Sequence, residues 1–294
     1  MKIHDRIIEL WPDHKNFLEK IDKELIKDRP DLFEAVYSIV STDLDKFILG
    51  YRWVVEMMIE EEIHFRRSGQ YRNKDFTQVN SEIYQLKNYM SKYVDGLLLS
   101  QILWPNHVML MDYYVKNFLK RIELTAMGQH LEVGPGHGLF LHFTAMNCNV
   151  NIEAWDISPT SVEYVQNNLR ILGTDKRVHL KCKNLFDLID PISYKLYSSM
   201  VLSEILEHLE EPKLALFQLI KLLKPGALIF INVPVNSPAI DHIFLFKSPE
   251  EVIELILETG LKIIDTYYCP AAGYSEDKAR RMKTTISCAF ICQK

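Results

Sequence analysis

The stretch Leu131-Glu132-Val133-Gly134-Pro135-Gly136-His137-Gly138 constrains this chain more than any other. An apolar run ends in three glycines at alternate positions and leads into a second apolar segment. A turn of that kind joins a strand to a helix. It needs glycine for positive φ and for close approach of backbone to a ligand. An acid, Glu132, stands just ahead of the first glycine. A second acid, Asp156, ends the next apolar run in Ala154-Trp155-Asp156-Ile157-Ser158, 18 residues after Gly138. A carboxylate at a strand's C-terminal end can accept hydrogen bonds from both hydroxyls of a ribose. The pattern therefore points to a doubly wound α/β sheet that binds a nucleoside-containing ligand.

Periodicity divides the chain near residue 122. Residues 1–122 read as helix and contain only Gly50, Gly69 and Gly96. Asp43 to Arg67 carries apolar residues at helical spacing, with Ser41 or Thr42 as the expected cap. A second long helix is expected over Ser81–Ser100, and a third from Pro105 or Asn106 to Lys120 after the break at Trp104-Pro105. From 123 to 294 short strands alternate with helices, which implies right-handed crossovers and a mostly parallel sheet. The last two strands, Leu261–Tyr268 and Thr285–Cys292, are joined by a segment read as loop, so they should pair antiparallel at one edge.

Hydrophobic residues make up 48% and the net charge is −5, which suits a globular chain with a large core and disfavours a nucleic-acid partner. The one dense basic run, 278–283, reads as a solvated loop. Nothing approaches the ~20 apolar residues of a membrane span, and Met1 to Arg6 lacks a signal-peptide core, so a cytoplasmic protein is expected. Five scattered cysteines suit reduced, buried thiols. The long apolar helices point to a homodimer through the helical region.

Spacing alone also admits a nicotinamide dinucleotide. Ligand charge separates the two readings: a pyrophosphate favours an uncharged loop, whereas a cationic sulfonium with a free amine favours the carboxylate that Glu132 supplies. On these residues the chain resembles the class I, Rossmann-like S-adenosylmethionine-dependent methyltransferases, over roughly residues 125–294. The resemblance implies a seven-stranded sheet with an antiparallel last strand, and S-adenosylmethionine as cofactor. It assigns Glu132, Gly134, Pro135, Gly136 and Gly138 to the methionine part, Asp156 to the ribose and Ile157 to the adenine. Asn184-Leu185 follows the third strand, where the family usually has an acid near the adenine amine. Ser203, in Ser203-Glu204-Ile205-Leu206-Glu207-His208-Leu209, lies after the fourth strand near the methionine part.

Methyl transfer needs an aligned acceptor, a dry site and, for a hydroxyl or acidic carbon, a proton acceptor. Histidine suits that last task, and His208 and His242 follow the fourth and fifth strands at the ligand end of the sheet. No metal is expected: Glu204, Glu207, His208 and Glu210 crowd one segment, but helical spacing would spread them around its axis, leaving only Glu204 and His208, at i and i+4, to share a face as a weak site. The Asn-Pro-Pro-Tyr type motif of base amine methylases is missing after the fourth strand. The expected reaction is methyl transfer to an oxygen or carbon of a small, partly aromatic molecule. An RNA or protein methyltransferase and a non-catalytic scaffold are the alternatives.

Overall fold

The protein is described by a computed structural model covering residues 3–20, 28–124, 128–187 and 195–294. Its first part is helical: α1 (Ile3–Leu10), α2 (Lys15–Lys20), α3 (Pro30–Val40), α4 (Leu44–Ser68), α5 (Phe76–Val79), α6 (Lys87–Leu103), α7 (Pro105–Tyr113) and α8 (Lys120–Leu124). The long α4 is capped by Asp43, whose carboxylate accepts the Lys46 N–H at 3.3 Å, and ends at Gly69 in the left-handed region. Ser41 and Thr42 do not cap it. Their hydroxyls donate instead to carbonyls of α3, at Ser38 and Ile39.

The continuous helix expected over Ser81–Ser100 is broken. A π-helical turn spans Asn80–Tyr84, Leu86 is extended (φ −88°, ψ 99°), and α6 begins after it. The break has a tertiary cause, since the Tyr84 carbonyl accepts the Ser158 hydroxyl at 3.0 Å. Helices α4 and α6 cross at Gly50 and Gly96. A Cβ on Gly96 would stand 2.6 Å from the Gly50 carbonyl oxygen, so the two backbones touch there.

The sheet comprises β1 (Gln129–Val133), β2 (Asn151–Asp156), β3 (Val178–Cys182), β4 (Tyr197–Ser203), β5 (Leu223–Val235), β6 (Lys262–Pro270) and β7 (Ile286–Gln293). Its helices are α9 (Leu139–Asn147), α10 (Pro159–Ile171), α11 (Pro212–Leu222), α12 (Pro249–Glu258) and α13 (Glu276–Met282). Strand order is β3-β2-β1-β4-β5-β7-β6. The first five strands pair in parallel, and β7 runs antiparallel between β5 and β6. The expected seven-stranded α/β sheet with an antiparallel last strand is the one that forms.

Two readings need correction here. The segment between β6 and β7 is not bare loop, because it carries α13, started by the Ser275 hydroxyl accepting the Lys278 N–H. The basic run 278–283 therefore lies largely on a helix, where Arg280 bonds Glu276 at 2.9 Å and Glu250 at 2.8 Å. Cys182 is also exposed, on edge strand β3, while the other four cysteines are buried as free thiols.

Side chains alternate across the sheet as its pleat requires. On β5, Phe230 faces one core, and Ile229 and Ile231 face the other. The Phe230 side is shared with the helical part: Tyr114 and Phe118 pack on Phe230 and Phe140, and the Tyr114 hydroxyl bonds Thr144 at 2.6 Å. The N-terminal helices thus complete the core of one sheet face. Among the described residues, no helix is long and apolar enough to cross a membrane.

Candidate active site

Strand β1 lies between β2 and β4, so the crossovers leave it in opposite directions and a crevice opens at the strands' C-terminal ends. The glycine loop sits there. Gly134, Gly136 and Gly138 all adopt positive φ (65°, 52° and 81°). The Gly134 N–H donates to the Trp155 carbonyl at 2.8 Å. A Cβ on Gly134 would lie 2.0 Å from Ile205 Cδ1, so any other residue would have to push the Ile205 side chain aside and hold a left-handed φ of 65°.

Glu132 is 2% exposed, and its Oε2 has no hydrogen-bond partner. Burial pushes its carboxyl well above the ordinary range. Asp156 ends β2 with Oδ1 accepting the Ser158 N–H at 2.8 Å. Burial raises its pKa to about 6, against the opposing effect of the Ser158 and Ile157 N–H groups. Both acids and the loop face one cavity of about 630 Å³, a size suited to a small-molecule site. A ligand with an amine at one end and a vicinal diol further along fits these two carboxylates. The amine would give the Glu132 oxygen the partner it lacks.

Of the residues assigned from sequence, all line this cavity except Gly138, which turns the chain into α9. Ile157, Asn184 and Leu185 form the wall beyond Asp156. The Asn184 side-chain oxygen already accepts the Phe186 N–H at 2.9 Å. Ser203 Oγ accepts the Asn232 amide at 3.2 Å. His137 lines the cavity while its Nδ1 accepts the Leu139 N–H at the start of α9.

His208 and His242 come together on the wall of the same cavity, with ring centroids 4.8 Å apart and nearly perpendicular. The segment carrying His208 is not α-helical. Glu204 sits at φ 56° and a 3₁₀ turn follows over Leu206–His208, so Glu204 and His208 do not share a helix face. His208 Nδ1 lies 3.0 Å from the Asp241 carbonyl oxygen and 3.1 Å from the Tyr84 hydroxyl. His242 Nδ1 donates to the Ser237 carbonyl at 2.6 Å. Each Nδ1 is thus occupied, which leaves Nε2 as the nitrogen each ring can offer to the cavity. Burial holds His242 down to about 4, so it stays neutral near pH 7.

Sequence reasoning missed the frame around these histidines. The Asp241 carboxylate accepts the Tyr93 hydroxyl at 2.9 Å and the Tyr84 hydroxyl at 3.2 Å. The Tyr71 hydroxyl accepts the Ser237 N–H at 2.9 Å. The helical part is thereby fastened onto the loop after β5. Met58, Met90, Trp104 and His107 add an apolar and aromatic wall. His107 is held by Ser100 and Gln101, each at 3.0 Å. Tyr113 and Tyr114 pack into the core instead. The available signal was Tyr84 and Tyr93, nine residues apart in the helical half, but no local rule ties them to Asp241.

Comparison with known proteins completes the description. Residues 109–266, more than half of the chain, match the family described as Methyltransferase domain. A search of curated proteins returned no match. Among solved structures, a protein assigned as a sarcosine dimethylglycine methyltransferase from Galdieria sulphuraria is similar at TM-score 0.53 and 14% identity, over 64% of this chain and 85% of its own. The [4+2]-cyclase SpnF is similar at TM-score 0.51 and 16% identity, over 65% and 80%. A geranyl diphosphate methyltransferase in complex with SAM is similar at TM-score 0.50 and 11% identity, over 68% and 90%. At such identities the likeness is one of fold, and a cyclase on the same fold shows that reaction must be argued from the site.

Proposed function

Because the chain belongs to the class I, Rossmann-like S-adenosylmethionine-dependent methyltransferases, with S-adenosylmethionine as its cofactor, we propose that it methylates an oxygen or carbon of a small, partly aromatic molecule. One observation carries this reading: a single cavity is lined by Glu132 and Asp156 from the sheet and by Tyr84, Tyr93 and Trp104 from the helical part. That helical wall is fastened by hydrogen bonds to the loop after β5, which suits an enclosed small acceptor better than a polymer.

Glu132 would hold the cofactor's amine, the glycine loop its methionine part and Asp156 its ribose hydroxyls. Ile157 and Leu185 offer apolar faces to the adenine, Asn184 a polar edge, and Ser203 closes the methionine side. When bound, the cofactor supplies a sulfonium methyl that passes to an acceptor lone pair, the sulfur keeping the carbon–sulfur pair and leaving as S-adenosylhomocysteine. The apolar wall excludes water, so acceptor and methyl meet in a medium where orientation counts most. His208 and His242 present their Nε2 atoms to the acceptor side, where they would bind an acceptor hydroxyl and guide removal of its proton.

The test is incubation with methyl-labelled cofactor and a panel of hydroxylated aromatics. Label should enter a small acceptor. His242→Ala should cut turnover roughly 10²-fold while leaving S-adenosylhomocysteine affinity unchanged by calorimetry. Label found only in RNA or protein fractions, or an undiminished variant, overturns the reading.

A further inference from the structure

Glu207 has no role in the cofactor site and is the least explained residue near it. It is 0% exposed, no hydroxyl, amide or ammonium group hydrogen-bonds its carboxylate, and the group it pairs with is another acid, Glu204. Its backbone carbonyl is used, accepting the Ile243 and Phe244 N–H groups at 2.8 and 2.9 Å. The turn is therefore locked to the loop after β5, and the carboxylate cannot swing out to water without undoing that contact. An ionised carboxylate left this way is strongly unfavourable unless a positive partner stands beside it.

Its neighbours are two imidazoles prepared to act as lone-pair donors. His208 and His242 each tie Nδ1 to a backbone carbonyl, those of Asp241 and Ser237. Such an outer bond fixes ring angle and tautomer in metal-ligating histidines and leaves Nε2 to coordinate. His208 Nε2 stands 3.8 Å from Glu207 Oε1. That is too long for a hydrogen bond, and near the roughly 3–3.5 Å that separates two ligands of one ion at ordinary bond lengths. One donor atom from each of Glu207, His208 and His242 lies within 4.8 Å of the others.

We propose that Glu207, His208 and His242 hold a divalent first-row transition metal ion on the wall of the cavity. Two imidazoles with one carboxylate favour zinc, manganese, iron or cobalt over calcium or magnesium. Three protein ligands leave coordination positions open, and both histidines line the cavity, so the open positions face the incoming acceptor. This deepens the methyltransferase reading and rests on it for the acceptor: the two Nε2 atoms would then serve as ligands rather than touch the acceptor themselves, and the ion would take an acceptor oxygen and set its angle to the methyl. It also departs from the expectation of no metal, which assumed an α-helical spacing that the 3₁₀ turn replaces.

Cobalt(II) is the probe, since its visible absorption reports ligand number and geometry. Protein stripped with a chelator and desalted should bind one equivalent of Co²⁺ and give a new visible band, and calorimetry should show that Zn²⁺ competes for the same site. Glu207→Gln, nearly isosteric, should weaken Co²⁺ binding by more than about 10²-fold. His242→Gln should do the same and serves if the first variant fails to fold. Folded wild-type protein that binds S-adenosylhomocysteine but no Co²⁺ overturns the metal site and leaves methyl transfer standing. Stoichiometric Co²⁺ binding without S-adenosylhomocysteine binding supports the metal site and counts against the methyltransferase reading. Affinity unchanged in both variants also refutes the assignment.

Discussion

Replacing Glu132 by Gln should move stability and cofactor affinity in opposite directions. In the ligand-free protein the Glu132 carboxyl is buried, with one oxygen unpartnered, and its pKa is raised well above the ordinary 4.5. A carboxyl with a raised folded-state pKa costs nothing below its unfolded pKa, and stability falls as pH rises toward the folded value. Above its ordinary pKa of 4.5 the folded protein must keep this carboxyl protonated or bury its charge, so it lowers stability as pH rises. Glutamine removes that penalty but leaves a buried amide N–H without a partner, which returns about 1–2 kcal/mol. A net gain of about 1 kcal/mol would raise the melting temperature by roughly 2–4 °C at pH 7. The gain should shrink toward pH 5, where wild type loses its penalty. S-adenosylhomocysteine keeps the amine that Glu132 would pair with, and losing that charge-assisted bond costs about 1.5–3 kcal/mol, or roughly 10- to 10²-fold in Kd. Scanning calorimetry between pH 5 and 8 and titration with S-adenosylhomocysteine measure the two arms. A variant that melts below wild type at pH 8 and binds the ligand equally well refutes the placement of this carboxylate.

Asp156→Ala should weaken S-adenosylhomocysteine binding by about 1–3 kcal/mol, because Asp156 would accept both ribose hydroxyls; unchanged affinity by calorimetry removes it from the site. Gly96→Ala forces a methyl against the Gly50 carbonyl and the Val54 side chain, each 2.6 Å away, where helices α4 and α6 touch. Overpacking of that kind should cost about 1–3 kcal/mol, and an unshifted urea midpoint would show that the helices separate without strain.

How much of this was legible in sequence follows from which interactions are local. The alternation of strands and helices, the glycine turn and the two acids were readable because each depends on residues close in the chain, and all but Gly138 of the assigned residues line one cavity. The break after Tyr84 was not. Ser81 to Ser100 has adequate helical spacing, and the interruption comes from Ser158, 74 residues away. Likewise Ser41, Thr42 and Asp43 all carry capping oxygens. The choice fell to Asp43 because the two hydroxyls were already spent on α3. The histidines were found by position at the sheet's ligand end, but their mutual approach was hidden. It depends on a left-handed Glu204 and on Asp241, whose carboxylate turns to Tyr84 and Tyr93 rather than to its neighbour His242.

Strand β7 lies between β5 and β6, although it follows both in the chain. During synthesis, β5 and β6 leave the ribosome first and cannot join each other, because the slot between them is reserved for residues still to come. Thr285 and Ser287, which form part of the cavity wall, arrive with that strand. At about 5–20 residues per second, translating the stretch between the end of β5 at Val235 and the start of β7 at Ile286 takes roughly 3–10 s. For that interval one side of β5 stays unpaired and the chamber lacks a wall. The nascent chain is therefore most exposed to sticking and to chaperone capture while the residues between β5 and β7 are being made.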